Sequence, residues 1–581
     1  MRRLVSARSP RGARRERAEA GFALVWFVIL LTVLLAVAAI GVDILAGYSA
    51  AQRAQNAADA AALAGVVKMP DFGAADPLAR QVGADNLGAG TFTPEQTALP
   101  NQLKVTVDTG IDTFFARVLG FDRLSITREA VAEYDEPVAM GSPANTFGNQ
   151  PDCSGTCTNT PGAQNPQLWF NLAGTGSRKT RGDQFLANRC TAENLAPDRC
   201  SGTNQEHDPT GYRYVVRNEG SGGDLTLSIF DPAFVHVGDN CTDGALTALY
   251  NALTFAGHPD AQRYRPNGGG FESQYCTGDQ FFADDGPSPY PPRTYYAVMR
   301  DPGTPWTEDD DEPVAGCPSA TSPRSFTGFR GDLTARWNQE VANPALEDTV
   351  TQYFRKWVTL CNFAAGTGDY VVRMWTDGGS GHNRGSMRVA KNNSLGSADV
   401  SIFARGRMSI YQNKIGAQTE FFLARVIPGA NGRVLNLTFF DTGDAAQPGT
   451  LTVLPPAEAR VGTSALTSFS GCRYTPPPAG PPYPSKVATG TGCSVSGVIS
   501  SGWNGQIIEW EVPIPDGYDC DYTDPQGCWL RIRFSYPAGG AGHHHVAGTP
   551  GRQPGAPRRL ADQVTPRRRG GRPRSPSSSP W

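Results

Sequence analysis

The longest uninterrupted apolar pattern of the chain lies near its N-terminus. Residues 22–42 carry no charged side chain, and the stretch 50–64 that follows is mostly alanine and contains no proline. In an α-helix the apolar run covers roughly 30 Å, the thickness of the hydrocarbon core of a bilayer. Because alanine is the best helix former, the helix should continue past the membrane surface. The pattern predicts a transmembrane helix with an extracytoplasmic alanine-rich extension over residues 21–67.

After this helix the apolar positions become shorter and less regular, as expected for a small mixed unit. Residues 104–107 and 124–133 alternate between apolar and polar side chains and predict strands, and residues 112–119 predict a short apolar helix. Residues 68–135 are therefore expected to form a small α+β unit.

Beyond this unit the pattern becomes that of an all-β protein. Residues 136–166 are rich in Gly, Pro, Asn, Ser and Thr and predict a linker that contains Cys153 and Cys157. The following stretch holds many short runs of period two that are separated by turn residues, with no long helical period between them. Strands of this length and spacing are typical of sandwich-like β modules. The overall fold class expected is a transmembrane helix, a small α+β unit and then mainly-β tandem modules.

An internal repeat supports the idea of tandem modules. Residues 212–231 align without a gap with residues 422–441, and in both segments the second strand ends with the spacing Leu-x-Leu-x-x-Phe-Asp. We interpret the repeat as two related β modules at 167–340 and 345–536, in which each aligned pair of strands forms a hairpin. Chance similarity between two amphipathic hairpins is the alternative.

Charge is distributed unevenly along the chain. Residues 1–20 hold seven arginines, and the positive-inside rule then predicts a cytoplasmic N-terminus with the bulk of the chain outside. Residues 537–581 are rich in Arg, Pro, Gly and Ser and predict a disordered basic tail. The 37 basic and 52 acidic residues of the body leave it near −15, which argues against nucleic acid as a partner. A cleaved signal peptide ending at Ala38 is a rival interpretation, but its apolar region would be unusually long.

Cysteine usage agrees with an extracytoplasmic body. All twelve cysteines follow the apolar run, and their number is even, as expected for disulfides in an oxidising compartment. Three pairs bracket short polar loops and are the expected disulfides: Cys153–Cys157, Cys190–Cys200 and Cys520–Cys528.

At this point the N-terminal motifs resemble a known family. The chain is similar over about residues 15–135 to TadG-like proteins of bacterial tight-adherence (Flp) pilus assembly. The motifs that carry the resemblance are Gly41-Val42-Asp43, the run from Gln55 to Ala64, Val105-Thr106-Val107, the run from Thr113 to Gly120, and Ala130-Val131-Ala132. Pilins are cut after a glycine and carry Glu at the fifth position beyond the cut. Trp26 stands at that position after Gly21, so cleavage by a prepilin peptidase is not expected.

Four polar motifs resemble functional sites, but we expect none of them to act as one. The Asp224, Thr226 and Ser228 spacing resembles a metal-dependent adhesion site, but the hydroxyls fall on the polar face of a strand. The remaining candidates are the integrin-type tripeptide Arg181-Gly182-Asp183, the four acidic residues Asp516, Asp519, Asp521 and Asp524 as a Ca²⁺ loop, and the tail residues His543, His544 and His545 as a metal site. No nucleophile–base pair, phosphate loop or dinucleotide motif was found. No catalytic, cofactor-binding or metal-binding residues and no cofactor are predicted.

These observations predict a function in positioning rather than in chemistry. The expected protein is a membrane-anchored, extracytoplasmic structural or assembly component of a Tad (Flp) pilus or surface-adhesion system, and not an enzyme. The alternative is a cell-surface module that binds carbohydrate or protein and is unrelated to pili, with sugar stacking on the tryptophans Trp357, Trp375, Trp503, Trp510 and Trp529.

The expected partners follow from the same interpretation. They are the membrane, pilin, pseudopilin or other Tad assembly proteins, and a second copy of the chain. The second copy would pack against a stripe of small residues on the alanine-rich helix: Ala50, Ala54, Ala57, Ala58, Ala61, Leu63 and Ala64.

Overall fold

A computed structural model of the chain divides into two compact units, Met1–Asp135 with Ala556–Trp581, and Glu136–Gly555. The structure describes residues 16–69, 72–97, 101–134, 138–151, 168–190, 202–237, 241–266, 273–283, 285, 290–303, 310–346, 349–412, 418–442, 447–477, 484–535, 544–550 and 558–559.

The first unit joins a long helix to a small antiparallel sheet. Its elements are α1 (Glu16–Val66), α2 (Phe72–Leu87), β1 (Thr91–Gln96), β2 (Gln102–Asp112) and β3 (Arg123–Glu133). The sheet order is β1-β2-β3, and a two-residue strand at Arg558–Arg559 pairs with the end of β3. The transmembrane-type helix and the small α+β unit predicted from the sequence are both present.

Alternation along β2 decides which face of this sheet is buried. Leu103, Val105 and Val107 are fully buried, whereas Lys104 and Thr106 between them are half-buried. The apolar face of the sheet packs against α1. A Cβ atom added to Gly65 of α1 would lie only 2.5 Å from Leu103, so the helix and sheet approach closely at that end.

The second unit is built of antiparallel strands. Its first part comprises β4 (Ala139–Met140), β5 (Thr146–Phe147), β6 (Leu168–Ala173), β7 (Tyr212–Asn218), β8 (Gly223–Phe230), α3 (Gly244–Phe255), β9 (Gln280–Phe281), β10 (Arg293–Arg300), β11 (Glu312–Pro313), β12 (Arg324–Thr327), α4 (Leu333–Ala342), β13 (Trp357–Ala365), β14 (Gly368–Thr376), β15 (Gly381–Lys391), β16 (Val400–Arg405) and β17 (Met408–Gln412). Its second part comprises β18 (Gln418–Arg425), β19 (Val434–Phe440), β20 (Gly449–Leu454), β21 (Arg460–Val461), β22 (Ser464–Ala465), β23 (Arg473–Tyr474), β24 (Val487–Ala488), β25 (Ser494–Val498), α5 (Ser500–Trp503), β26 (Ile507–Pro513), β27 (Tyr518–Asp519), β28 (Trp529–Ser535) and β29 (His544–Pro550).

One long sheet runs through both parts of this unit. Its order is β13-β8-β15-β6-β17-β29-β19-β26-β23-β24. A sheet in the order β11-β10-β14-β7-β16-β4 belongs to the first part, and one in the order β18-β28-β20-β25 belongs to the second. Buried side chains from all three sheets form one continuous core, as in stacked β-sandwiches.

The two parts share a strand topology, which supports the repeat seen in the sequence. In the first part β7 pairs with β14, β14 with β10, and β8 with β13. In the second part β18 pairs with β28, β28 with β20, and β19 with β26. The residues that end the repeated segment, Asp231 and Asp441, both adopt left-handed φ angles, of 54° and 56°.

This pairing corrects two details of the sequence interpretation. The aligned strands are not hairpins, since β7 and β8 lie in different sheets, as do β18 and β19. The division of the modules also does not fall between residues 340 and 345. Strands β13 to β17, over residues 357–412, pair with strands of the first module, so the change of module lies between β17 and β18.

The C-terminal segment requires a third correction. Residues 544–550, expected within a disordered tail, form β29, which pairs with β19 on one side and with β17 on the other. β29 thus holds beside β19 the place that β15 holds beside β8. Apart from residues 558–559, the rest of 537–581 after β29 lies outside the described residues.

Disulfides connect strands and loops in the second unit. The expected Cys520–Cys528 bond is present, and three further bonds join Cys241 to Cys276, Cys317 to Cys361 and Cys472 to Cys493. Cys190 is disulfide-bonded, whereas Cys153, Cys157 and Cys200 lie outside the described residues.

Candidate functional site at the end of the apolar helix

The N-terminal half of α1 presents apolar side chains on all sides. Large side chains from Leu24 to Leu45 are exposed, with Leu34 at 67% of its surface. By length and composition the helix is able to cross a membrane, over Leu24–Val66. A helix that exposes large apolar side chains all round is the kind that lipid accommodates.

Beyond residue 43 one face of α1 is covered by its own unit. Ala54, Ala58 and Ala61 are completely buried, and Ala50, Ala51 and Ala54 pack against Ile126 of β3. The stripe of small residues that the sequence suggested as a surface for a second copy is therefore occupied within the chain. Small side chains at this spacing let the sheet and α2 approach the helix, and this corrects the expected partner of the stripe.

Asp43 is the residue that ties α1 to the loop between β2 and β3. Its Oδ1 accepts a hydrogen bond from the backbone N–H of Phe114 at 2.9 Å. Its Oδ2 accepts from the backbone N–H groups of Phe115 at 2.9 Å and Ala116 at 2.6 Å. These donors begin the 3₁₀ helix Ala116–Leu119, whose N-cap residue makes no side-chain capping bond of its own. Asp43 thus caps the loop from another element, through charge-assisted hydrogen bonds.

The capped loop exposes a group of large apolar side chains. Phe114 is 75% exposed, Val118 86% and Phe121 67%, and Phe115 is half exposed. Arg117 lies in the same turn, with its Nε 3.5 Å from Asp122. Scattered apolar residues are normal on protein surfaces, but four within eight positions form a patch. We call Phe114, Phe115, Val118 and Phe121 the apolar loop.

In the sequence, Asp43 and the run from Thr113 are separate motifs, because 71 positions separate Asp43 from Phe114. The available signal was a single acidic residue directly after an apolar run. Such a residue at the end of a membrane segment needs a partner, and backbone N–H groups supply one here.

The structure places two of the polar motifs of the second unit in a surface groove and in a buried turn. Thr226 and Ser228 line a shallow groove of about 250 Å³ on β8, together with Arg388 and Asn393, while Asp224 is exposed. Asp183 of the Arg-Gly-Asp tripeptide is completely buried, so the tripeptide is not presented to a partner.

Asp183 instead organises the turn in which it lies. Its carboxylate accepts hydrogen bonds from the backbone N–H groups of Ala173, Phe185 and Leu186 and from the hydroxyl of Tyr212. Burial raises the pKa of Asp183, and these donors partly oppose the rise.

Aspartates of the acidic loop accept hydrogen bonds from residues of the same loop, and two of the three tail histidines belong to a strand. Asp521 accepts hydrogen bonds from Thr523 and the backbone of Asp524, and Asp524 accepts from the backbone of Gln526. Among the described residues no group of three or more His, Cys, Asp or Glu side chains is placed to hold a metal ion. His544 and His545 belong to β29, and His543 lies outside the described residues.

A buried ionic cluster lies where the first module's β8 ends. Asp231, Asp279 and Arg355 are fully buried, and Arg384 beside them is nearly so. Asp279 accepts hydrogen bonds from the backbone N–H groups of Val235 and Arg384. Burial raises the pKa of Asp279 to about 7 and lowers that of Arg355 to about 10. We interpret this cluster as a structural support for the segment between β8 and β10, because Asp279 binds the backbone of Val235 in that segment.

The tryptophans proposed for sugar stacking are mostly core residues. Trp503, Trp510 and Trp529 are buried. Trp357 lies under the guanidinium of Arg388, 4.0 Å from its ring centre, and Trp375 is stacked on Tyr295. Three of the five side chains are therefore closed to a ligand.

Comparison with known families finds a match in the N-terminal part of the chain. Residues 21–76 match the Tad family model, described as Flp pilus-assembly TadE/G-like. The match confirms the resemblance seen in the sequence and covers most of α1, including Asp43, and the start of α2. The second unit lies outside the matched residues. No curated protein and no solved structure matches the chain.

Proposed function

We propose that the protein is a membrane-anchored, extracytoplasmic structural or assembly component of a Tad (Flp) pilus or surface-adhesion system, without catalysis of its own. The observation that carries the proposal is the match of residues 21–76 to the Tad family model on a helix long and apolar enough to span a bilayer. The arginines before the helix favour a cytoplasmic N-terminus. Disulfide-bonded sandwich modules then lie outside the cytoplasm, where disulfides persist.

In this arrangement α1 anchors the protein in the membrane, and the β modules provide surfaces for binding partners. The small unit is packed on α1 through buried alanines, so helix and sheet move as one body. The modules share one continuous sheet and one core, which suits a rigid projection rather than a hinged pair. Pilin, pseudopilin or other Tad assembly proteins are the partners that we propose for these surfaces.

The proposed role is tested by complementation in the cells that produce the protein, with chains that differ in how they are anchored to the membrane. Cells lacking the protein are complemented with the full chain, with a chain in which residues 22–42 are replaced by an unrelated apolar helix, and with a chain secreted by a cleavable signal. We expect the first two to restore surface pili and adhesion and the secreted chain to fail. Normal piliation and adhesion in cells without the protein would refute the proposal. If piliation were normal but binding to a glycan or host surface were lost, the alternative of a surface binding module would be favoured.

Orientation is tested separately, with protease added to spheroplasts. We expect the β modules to be degraded while an epitope at residues 1–15 stays protected. Protected modules would contradict the orientation without bearing on the family match.

A further inference from the structure

The apolar loop lies at one defined height along α1. Asp43, which caps it, is the first charged residue after the uncharged run that ends at Val42. The helix still exposes Ile44, Leu45 and Tyr48 at and beyond this height. The exposed side chains of the loop therefore lie level with the end of the apolar surface of the helix.

The course of β2 and β3 shows which way the loop points. Leu103, at the start of β2, lies beside Gly65 of α1. Leu124, at the start of β3, lies beside Gly47, where an added Cβ would be 2.6 Å from its side chain. Gly65 and Gly47 are about 27 Å apart along a helix that rises 1.5 Å per residue. The hairpin thus runs back along α1, and its tip is the part nearest to the apolar run.

The composition of the tip suits the border between lipid and water. Phe114, Phe115, Val118 and Phe121 are exposed, and the exposed Arg117 and Arg123 are long enough to reach phosphate groups. Aromatic side chains beside basic ones are the combination that binds the headgroup region of a bilayer. The backbone of the tip is not left unpaired at this depth, because Asp43 accepts three of its N–H groups.

We propose that the apolar loop is a second membrane contact, which inserts Phe114, Phe115, Val118 and Phe121 into the extracytoplasmic leaflet of the bilayer that α1 spans. Asp43 is the positioning residue that sets the depth of the loop. The inference rests on the proposed anchoring of α1. A helix held at a single span can rotate and tilt, whereas a second contact beside it restricts the rotation and tilt of the small unit that is packed on it. The partner that we propose for the apolar loop is lipid. The experiment below distinguishes lipid from a pilin or a second copy of the chain.

The experiment measures immersion depth by electron paramagnetic resonance. The described cysteines are disulfide-bonded, so one added cysteine can be labelled with a nitroxide. The full chain carrying Val118→Cys is reconstituted into vesicles of phosphatidylcholine with one quarter phosphatidylglycerol. Gln96→Cys is the matched exposed control, since Gln96 pairs with Leu103 at the far end of the sheet. Leu34→Cys reports on the helix itself.

We expect the label at position 118 to collide with oxygen at least threefold more often, and with a water-soluble nickel chelate at least threefold less often, than the label at 96. Equal values at 118 and 96 would overturn the inference. Shielding of 118 from both reagents that grows with protein density would also overturn it, because protein rather than lipid would then cover the loop. A water-exposed label at position 34 would instead refute the anchoring of α1, so the two failures are distinguishable.

The role of Asp43 is tested in the Val118→Cys background. Asp43→Ala removes the acceptor of three backbone N–H groups and should give a mobile label with a broad range of depths. Asp43→Asn keeps one acceptor oxygen and should restore part of the ordered signal. An unchanged spectrum in Asp43→Ala would show that Asp43 does not position the loop.

Discussion

Replacing Asp441 with asparagine should remove part of the pH dependence of the stability of the second β module. Asp441 follows β19 and is completely buried. Its Oδ1 accepts a hydrogen bond from the backbone N–H of Gly505 at 2.5 Å. Its Oδ2 has no hydrogen-bond partner among the described residues. Asparagine is one of the few residues besides glycine that accept the left-handed φ of 56° found here, so the substitution adds no backbone strain.

The sign of the effect follows from the pKa. Burial raises the pKa of Asp441 to about 7, and the single hydrogen bond from Gly505 opposes the rise only in part. In the unfolded chain the carboxyl loses its proton near pH 4, whereas in the folded chain it keeps it up to about pH 7. The folded state binds more protons in this window, and stability therefore falls as the pH rises through it. Between pH 5 and pH 8 the fall is about 2–3 kcal/mol from this one group.

The assay is urea unfolding of the full chain in detergent, followed by tryptophan fluorescence at several pH values. Trp503, Trp510 and Trp529 are buried in the same module and report on its unfolding. Asparagine cannot ionise, so the free energy of unfolding of Asp441→Asn should fall less between pH 5 and pH 8 than that of the native chain. A difference of this size corresponds to roughly 1 M in the urea midpoint.

Two comparisons make this result decisive. Asp519→Asn changes an exposed carboxylate in the same module and serves as the matched control for the loss of one carboxylate. Other buried acids, including Asp231 and Asp279, also lower stability as the pH rises, so the quantity compared is the slope of each variant against the native chain. If Asp441→Asn and the native chain showed parallel pH profiles, Asp441 would be an ordinary ionised carboxylate and the reasoning from burial would be refuted.

Three further predictions concern packing, the disulfides and the tail. Ala61→Leu should overpack the contact between helix and sheet, lower stability by about 1–3 kcal/mol and speed amide exchange in β2 and β3 by about tenfold or more. Ala60→Leu, at a half-buried position, should change the exchange rate little, and equal effects of the two substitutions would contradict the packing argument. Cys528→Ser opens a loop with a sequence separation of 8 and should cost about 2–3 kcal/mol, measured as the urea midpoint, and an unchanged midpoint would show that the bond adds no stability. Deleting residues 544–550 should lower the melting temperature by several degrees because β19 loses a paired strand, while deleting 561–581 should not; equal melting temperatures would refute a structural role of β29.

Local features of the sequence predicted the elements well where their cause is local. The apolar run of α1 and the alternation along β2 depend only on neighbouring residues, and both are observed. The Cys520–Cys528 bond spans eight positions and was also predictable. The repeated spacing that ends at Asp231 and Asp441 indicated related modules, and the two parts do share a strand topology.

Contacts between distant parts of the chain decided the rest. Strand β14 pairs with β7, which lies about 155 positions earlier, and no local pattern shows that β14 belongs to the first module. The alanine stripe has the same sequence whether it packs on another chain or on its own sheet, and only the fold shows that Ala54 and Ala61 are already covered. Asp43 meets the loop at Phe114 because β2 and β3 run back along the helix. Sequence patterns indicate which side of an element is apolar. Which element packs against that side depends on how the whole chain folds back, and only the tertiary structure determined it.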